Sequence, residues 1–224
     1  MKVALILSGK FRDGKECFDY LQSNLLEKYD VDIFINYWYD NEYEVDTTMQ
    51  ELVELYKPKA INFQKVPNEL YPILDIANTY PKHPEVNTNS LFSMWGGVKF
   101  ANQLKTDYEN RFGFKYDVVI RTRFDVKILE PFELKQRKNS IHIPIGWDHR
   151  GGYNDLFAYG DSISMDYYCS TFDYLLPYVE TMRVVHPESL LKQHLDSSNI
   201  SIFRTSIKTS LRGMLTHELE YTTK

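Results

Sequence analysis

The chain has 224 residues and a formal net charge of −5, and 43% of its residues are apolar. That is enough to bury one core of ordinary size, too apolar for a disordered chain, and without the basic field that grips nucleic acid. Ten glycines and nine prolines exclude a collagenous or low-complexity chain.

Aromatic residues make up 15%, with 17 tyrosines. Tyrosine pairs a flat apolar ring with one hydroxyl, which suits stacking on sugars and bases and equally suits an aromatic-rich core. Cys17 and Cys169 lie far apart without metal-binding spacing, so both read as buried thiols in a reducing compartment. Val3–Leu7 is too short for a signal-peptide core and no run reaches a membrane span. The expectation is a cytoplasmic protein without a transmembrane segment, peripheral to a membrane only through its acceptor.

Apolar runs alternate with helical periodicity, the pattern of an α/β domain with a largely parallel sheet. Residues 2–8 read as a buried strand, followed by a turn at Gly9 and Gly14 and a helix with Phe18, Leu21 and Leu25 on one face. Residues 31–36 form a second strand, 48–56 a short helix and 60–66 a third strand. A loop with Pro67, Pro72, Pro81 and Pro84 follows. Asn89 or Ser90 caps a long helix whose core face carries Leu91, Met94, Trp95, Val98, Ala101, Leu104 and Tyr108, with Lys99 on the solvated face. Strands are expected from Tyr116, over 140–145 and 156–160, and over 200–203. Asp161 or Ser162 caps a helix reaching about Leu176, and Pro187 opens another.

The segment Val119-Ile120-Arg121-Thr122-Arg123-Phe124-Asp125 is the most informative. If the strand continues through it, alternation puts Arg121, Arg123 and Asp125 on one face. Two guanidiniums and a carboxylate do not sit unpaired inside a sheet. Their expected place is the strand's C-terminal end, where open α/β sheets bind ligands. Two fork-shaped cations suit a diphosphate, and Asp125 is a hard oxygen ligand for a divalent ion. A rim salt bridge between Arg123 and Asp125 accounts for the same residues without a ligand.

Two other segments carry candidate chemistry. Gly9, Gly14 and Lys15 fall in P-loop register, but Glu16 replaces the hydroxyl that holds magnesium. A glycine turn approaching a nucleotide through its backbone, helped by Arg12, and a plain strand–turn–helix connection are the other readings. In Gly151–Gly160, Asp155 is placed to orient or deprotonate an acceptor hydroxyl, with Asp148 and His149 as partners, and an Asx turn explains Asn154-Asp155 equally. Glu188 is accounted for by helix-start electrostatics and His194 by a satisfied histidine.

Together these segments resemble a family. Leu5–Arg12 followed by Asp32–Ile35 look like the opening of GT-A-like glycosyltransferases from bacterial surface-polysaccharide loci and large viruses. Tyr116–Asp125 is similar to their YDxVIRxRxD strand end. Asn154–Gly160 with Met165-Asp166 is similar to their NDxFAxG…MD segment, and Pro187-Glu188 to a later PE…L element. The resemblance implies a single GT-A-like domain with a Rossmann-like, mostly parallel central sheet flanked by helices. Residues 1–125 would form a nucleotide-sugar-binding half and 126–224 an acceptor-side half. It implies transfer of a sugar from a nucleotide-diphosphate donor, such as a UDP-sugar, to a glycan or other hydroxyl acceptor.

Carried over residue by residue, Ser8, Gly9 and Arg12 line the nucleotide, and Arg121 and Arg123 meet it or its phosphates. On the reading of its loop, Asp155, with Asn154, is the expected catalytic group and the base if the reaction inverts. Asp125 holds a divalent metal, Mn²⁺ or Mg²⁺, although Arg123 stands where the broader fold carries the first carboxylate of its metal motif. The rivals are a P-loop-like small-molecule kinase and a non-catalytic nucleotide-sugar or glycan-binding module.

Overall fold

Five apolar residues in succession suit a strand buried on both faces. Val3–Leu7 supplies them, and β1 (Val3–Ser8) lies inside a seven-stranded sheet of order β3-β2-β1-β4-β7-β6-β8. The other strands are β2 (Val31–Tyr39), β3 (Ala60–Lys65), β4 (Val118–Thr122), β6 (Ser140–Pro144), β7 (Ala158–Gly160) and β8 (Ser201–Thr205). All run parallel except β7, which is antiparallel to both β4 and β6. This is a single α/β domain, described by a computed structural model over residues 1–12, 14–39, 45–65, 79, 87–211 and 214–215. The proline-rich loop with Pro67, Pro72, Pro81 and Pro84 lies outside the described residues.

Alternation along β1 divides the interior into two cores. Val3, Leu5 and Leu7 pack with Leu21 of α1 (Gly14–Leu21) and with Leu52 and Tyr56 of α2 (Val45–Tyr56). Ala4 and Ile6 face α3 (Thr88–Phe112), α4 (Ser162–Cys169), α5 (Thr171–Met182) and α6 (Pro187–Asp196), whose Trp95, Tyr168, Val179 and Leu190 complete the second core. Trp95 is fully buried, as its place on the helix face requires. No helix among the described residues is long and apolar enough to cross a membrane.

Three expectations need correction. The strand carrying Arg121 stops at Thr122, and β5 (Val126–Ile128) pairs instead with β9 (Thr209–Leu211), which pairs with β10 (Met214–Leu215) in a separate three-stranded sheet. The α3 helix starts earlier than expected, because the Asn87 carboxamide accepts from the Ser90 N–H at 3.1 Å and caps it. The single helix expected over 161–176 is two, broken at Ser170, whose hydroxyl donates to the Tyr167 carbonyl at 2.7 Å. Lys99 lies on the solvated face as expected and pairs there with Asp173 of α5.

On the outer strands His142 of β6 pairs in register with Tyr159 of β7 and Phe203 of β8. Its ring stacks on both, at 4.5 Å and 5.1 Å between centroids. Burial, with the Arg137 and Lys135 charges adding to it, lowers its pKa to about 4. The unfolded chain takes up this proton near the ordinary value of 6.5 and the folded one only near 4. Stability is therefore intact above pH 6.5 and lost as the pH falls through that interval. His142→Phe should flatten that acid limb, with about 1–3 kcal/mol less stability lost between pH 6.5 and pH 4 in urea titrations.

Candidate functional site

Strands β2 and β3 lie to one side of β1 and β4 lies to the other, so the order of the parallel strands reverses between β1 and β4. Open α/β sheets bind ligands in the crevice beyond such carboxyl ends. Two of the predicted segments meet there: Ser8 and Gly9 at the end of β1, Arg121 and Arg123 at the end of β4. Gly9 has φ +120°, a left-handed conformation that suits glycine. On the α3 side the ends are polar: Ser8, Asn36 and Asn62 stand in register, and the Asn62 amide donates to Asn36 Oδ1 at 2.7 Å. Helix α3 passes closely over this row through Gly97, where an added Cβ would stand 3.3 Å from Ser8 Cβ.

The charged segment divides in two. Beyond β4 the chain turns back, and Asp125, only 1% exposed, accepts two hydrogen bonds of 2.8 Å from Arg123 Nε and Nη2. Arg12, from the loop after β1, donates to Asp125 Oδ2 at 3.2 Å. Burial works against the Arg123 charge, but attraction and hydrogen bonding to Asp125 outweigh it and raise its pKa. Arg121 is apart from this knot, a correction to the shared face expected from alternation. It lies level with Ile6 and Ala158 inside the sheet, is wholly buried, and packs its guanidinium carbon 5.8 Å from the Trp95 ring centroid.

The metal role expected for Asp125 does not fit this donor set. Both its oxygens are engaged by guanidiniums, and among the described residues no three His, Cys, Asp or Glu side chains cluster as metal ligands. The P-loop reading loses its lysine: Lys15 pairs with Glu51 of α2 at 2.9 Å, and Glu16 with Lys127 at 2.6 Å.

The loop 146–156 forms the second wall. Asn154 is fully buried and spends its polar groups on the loop: its amide donates to the Gly146 carbonyl at 2.9 Å and its Oδ1 accepts from the Leu156 N–H at 2.8 Å. It positions the loop and is not a group that faces substrate, which corrects the catalytic role given to it. Asp148 anchors the same loop, accepting from Arg204 Nη2 at 2.7 Å and from the Asn154 N–H at 3.0 Å. His149 is exposed. Asp155 is left almost buried with no hydrogen bond to its carboxylate among the described residues, and its charge is felt by Arg123, Tyr168 and Glu188.

Glu188 is the residue that helix-start electrostatics undervalued. It is 7% exposed, and burial, followed by the charges of Asp155 and Asp148, pushes its pKa up to about 8. A buried acid whose pKa is raised by a neighbouring acidic side chain is a mark of acid–base sites. The resemblance of Pro187-Glu188 to a family element was the available signal. Two open grooves of 480 and 370 Å³ lie at the opposite, N-terminal edge of the sheet, away from these residues. No family model matches the chain, and no curated protein matches it.

Two tests follow from this geometry. At Gly152 an added Cβ would lie 2.3 Å from the Glu188 backbone carbon, and the Tyr153 N–H donates to the Glu188 carbonyl at 3.1 Å. Gly152→Ala should therefore cost about 2–4 kcal/mol in chemical denaturation, well beyond an exposed Gly→Ala change. For Glu188 the folded pKa of about 8 exceeds the ordinary 4.5. The unfolded chain loses its proton first, and stability falls as the pH rises from 4.5 to 8. Glu188→Gln should remove that fall and exceed the parent protein by at least about 1 kcal/mol at pH 8, with little difference at pH 4.5.

Proposed function

We propose that the protein is a glycosyltransferase that moves a sugar from a nucleotide-diphosphate donor to a hydroxyl acceptor. The observation that carries this reading is the seam between β1 and β4. A glycine turn, a polar row and the Arg12–Asp125–Arg123 knot meet there, with Asp155 and Glu188 on the second wall. The resemblance to GT-A-like transferases supports it on the same residues, and the sheet is compatible with a Rossmann-like donor half.

In this reading the nucleotide lies over Ser8 and the Gly9 backbone, and Arg12 and Arg123 turn toward the diphosphate. The two guanidiniums and Asp125 sum to one positive charge, available where negative charge develops on the leaving group. The acceptor oxygen bonds to the anomeric carbon as the bond from that carbon to the diphosphate oxygen breaks. The acceptor proton passes to the Asp155 carboxylate in an inverting displacement. Glu188, protonated at neutral pH, adds no second negative charge beside Asp155.

Asp155→Asn changes one atom of a side chain that holds no part of the fold. Transfer or hydrolysis of UDP- or GDP-sugars should fall by about 10²–10⁴-fold, with the circular dichroism spectrum unchanged. Arg12→Gln should weaken binding of the nucleoside diphosphate about tenfold, because a half-exposed charge-assisted contact is lost. Undiminished turnover in Asp155→Asn would reject the transferase assignment. Donor binding without turnover in the parent protein would favour the binding module, and stabilisation by ATP alone the kinase.

A further inference from the structure

Among the described residues, Lys57, Asn139, Trp147, Arg150 and Arg183 hold a positive φ without being glycine. Lys57 and Arg183 close helices α2 and α5, each donating its N–H back into the last turn, to the carbonyls of Val53 and Val179. Asparagine tolerates the conformation. Trp147, at φ +58°, and Arg150, at φ +55°, end no α-helix. The left-handed region is unfavourable for a bulky side chain, so a position that needed only this backbone would be best served by glycine or asparagine.

The fold gains little from the indole that stands there. Trp147 belongs to neither of the two cores, and its Nε1 has no hydrogen-bond partner among the described residues. Its ring meets that of the exposed His149 edge-on, at 6.0 Å between centroids. Trp38 and Trp95 are buried, whereas Trp147 is partly exposed. Its chain neighbours hold it in place. The Gly146 N–H donates to Asp148 Oδ2 at 3.1 Å, the Gly146 carbonyl accepts from the Asn154 amide, and Arg204 grips Asp148. A strained residue that is anchored on both sides and adds nothing to a core marks a functional position.

β7 is antiparallel to both β4 and β6, so β6 runs with β4 and delivers Trp147 to the same carboxyl edge as Gly9 and Arg123. Asn154, bonded to the residues on both sides of Trp147, immediately precedes Asp155. The order β1-β4-β7-β6 then spaces Gly9, Arg123, Asp155 and Trp147 successively along that edge, about 14 Å from first to last at the ordinary strand separation. We propose that Trp147 is a stacking platform for a sugar ring of the acceptor, which it holds against Asp155. The C–H face of a pyranose suits the negative π-face of an indole, and stacking leaves the hydroxyls on the ring's rim free to reach the carboxylate. The donor nucleotide, over Gly9, occupies the other end of the row. The acceptor role rests on the transferase reading, but carbohydrate binding at Trp147 requires no turnover.

The test uses the full chain and four probe sugars: methyl glucoside, methyl galactoside, N-acetylglucosamine and lactose. With Trp38 and Trp95 buried, acrylamide quenches chiefly Trp147, and at least one sugar should protect it saturably. Saturation-transfer NMR on that sugar then compares variants. Trp147→Gly should unfold no earlier than the parent and lose the transferred signal. Trp147→Phe keeps a smaller ring on the same backbone and should raise the midpoint sugar concentration about fivefold. With a UDP- or GDP-sugar as donor, Trp147→Gly should raise the KM for that acceptor about tenfold and change kcat less. Equal sugar binding in the parent, Trp147→Gly and Trp147→Phe overturns the platform, as does failure of all four sugars to protect the parent. Protection by uridine or guanosine diphosphate alone assigns the indole to the donor and overturns it too. Sugar binding that depends on Trp147, in a protein that transfers nothing, supports the platform and rejects the transferase reading instead.

Discussion

A carboxylate buried at the seam of two parallel strands holds the candidate site together. Asp125 joins the loop after β1 to the turn after β4 by binding Arg12 and Arg123 at once. Desolvating a carboxylate costs several kcal/mol, and only well-formed charge-assisted hydrogen bonds offset it. Satisfying Asp125 therefore fixes the direction in which the chain leaves β4. That exit sends β5 out of the main sheet and leaves Arg121 behind within it. The two arginines, separated in sequence by one threonine, thereby enter different environments.

The opposite wall follows the same economy of polar groups. Asn154 satisfies its hydrogen-bonding capacity on the loop that contains it and Asp148 on that loop and on Arg204 of β8, so Asp155 is presented without a hydrogen-bonded partner among the described residues. Gly152 brings this loop against the start of α6, and the approach places Glu188 in a dry setting beside Asp155. The raised Glu188 pKa is thus a product of backbone packing at a residue without a side chain. Loop geometry, through burial, sets the protonation state of a group on another element.

Much of the fold was legible in sequence because its signals are local. The apolar run of β1, the face of α3 and the alternation of strands and helices each follow from residues within a few positions. The meeting of the Gly9 and Arg123 segments was also legible, since strand ends with charged residues have few places to go in an α/β sheet. The end of β4 was not, because alternation continues formally to Asp125 and only the distant Arg12 reveals that the aspartate is turned back. Nor was the difference between Asn154 and Asp155. Both are polar residues in one turn, and which is spent on the loop depends on the Gly146 carbonyl and the Leu156 N–H. Glu188 looked like a capping residue because its neighbours in space, Asp155 and Asp148, lie more than thirty positions away.

The seam also bears on how the chain comes together. Lys2 and Asp117, hydrogen-bonded at 2.7 Å where β1 and β4 begin, are 115 residues apart in sequence. Closing so long a loop delays the central pairing, a feature of slowly folding topologies. During synthesis β1, β2 and β3 emerge well before β4, and until β4 docks β1 has an open edge. The division near residue 125 is consequently no line along which the protein separates: β7, from the second half, supplies the partner on the far side of β4.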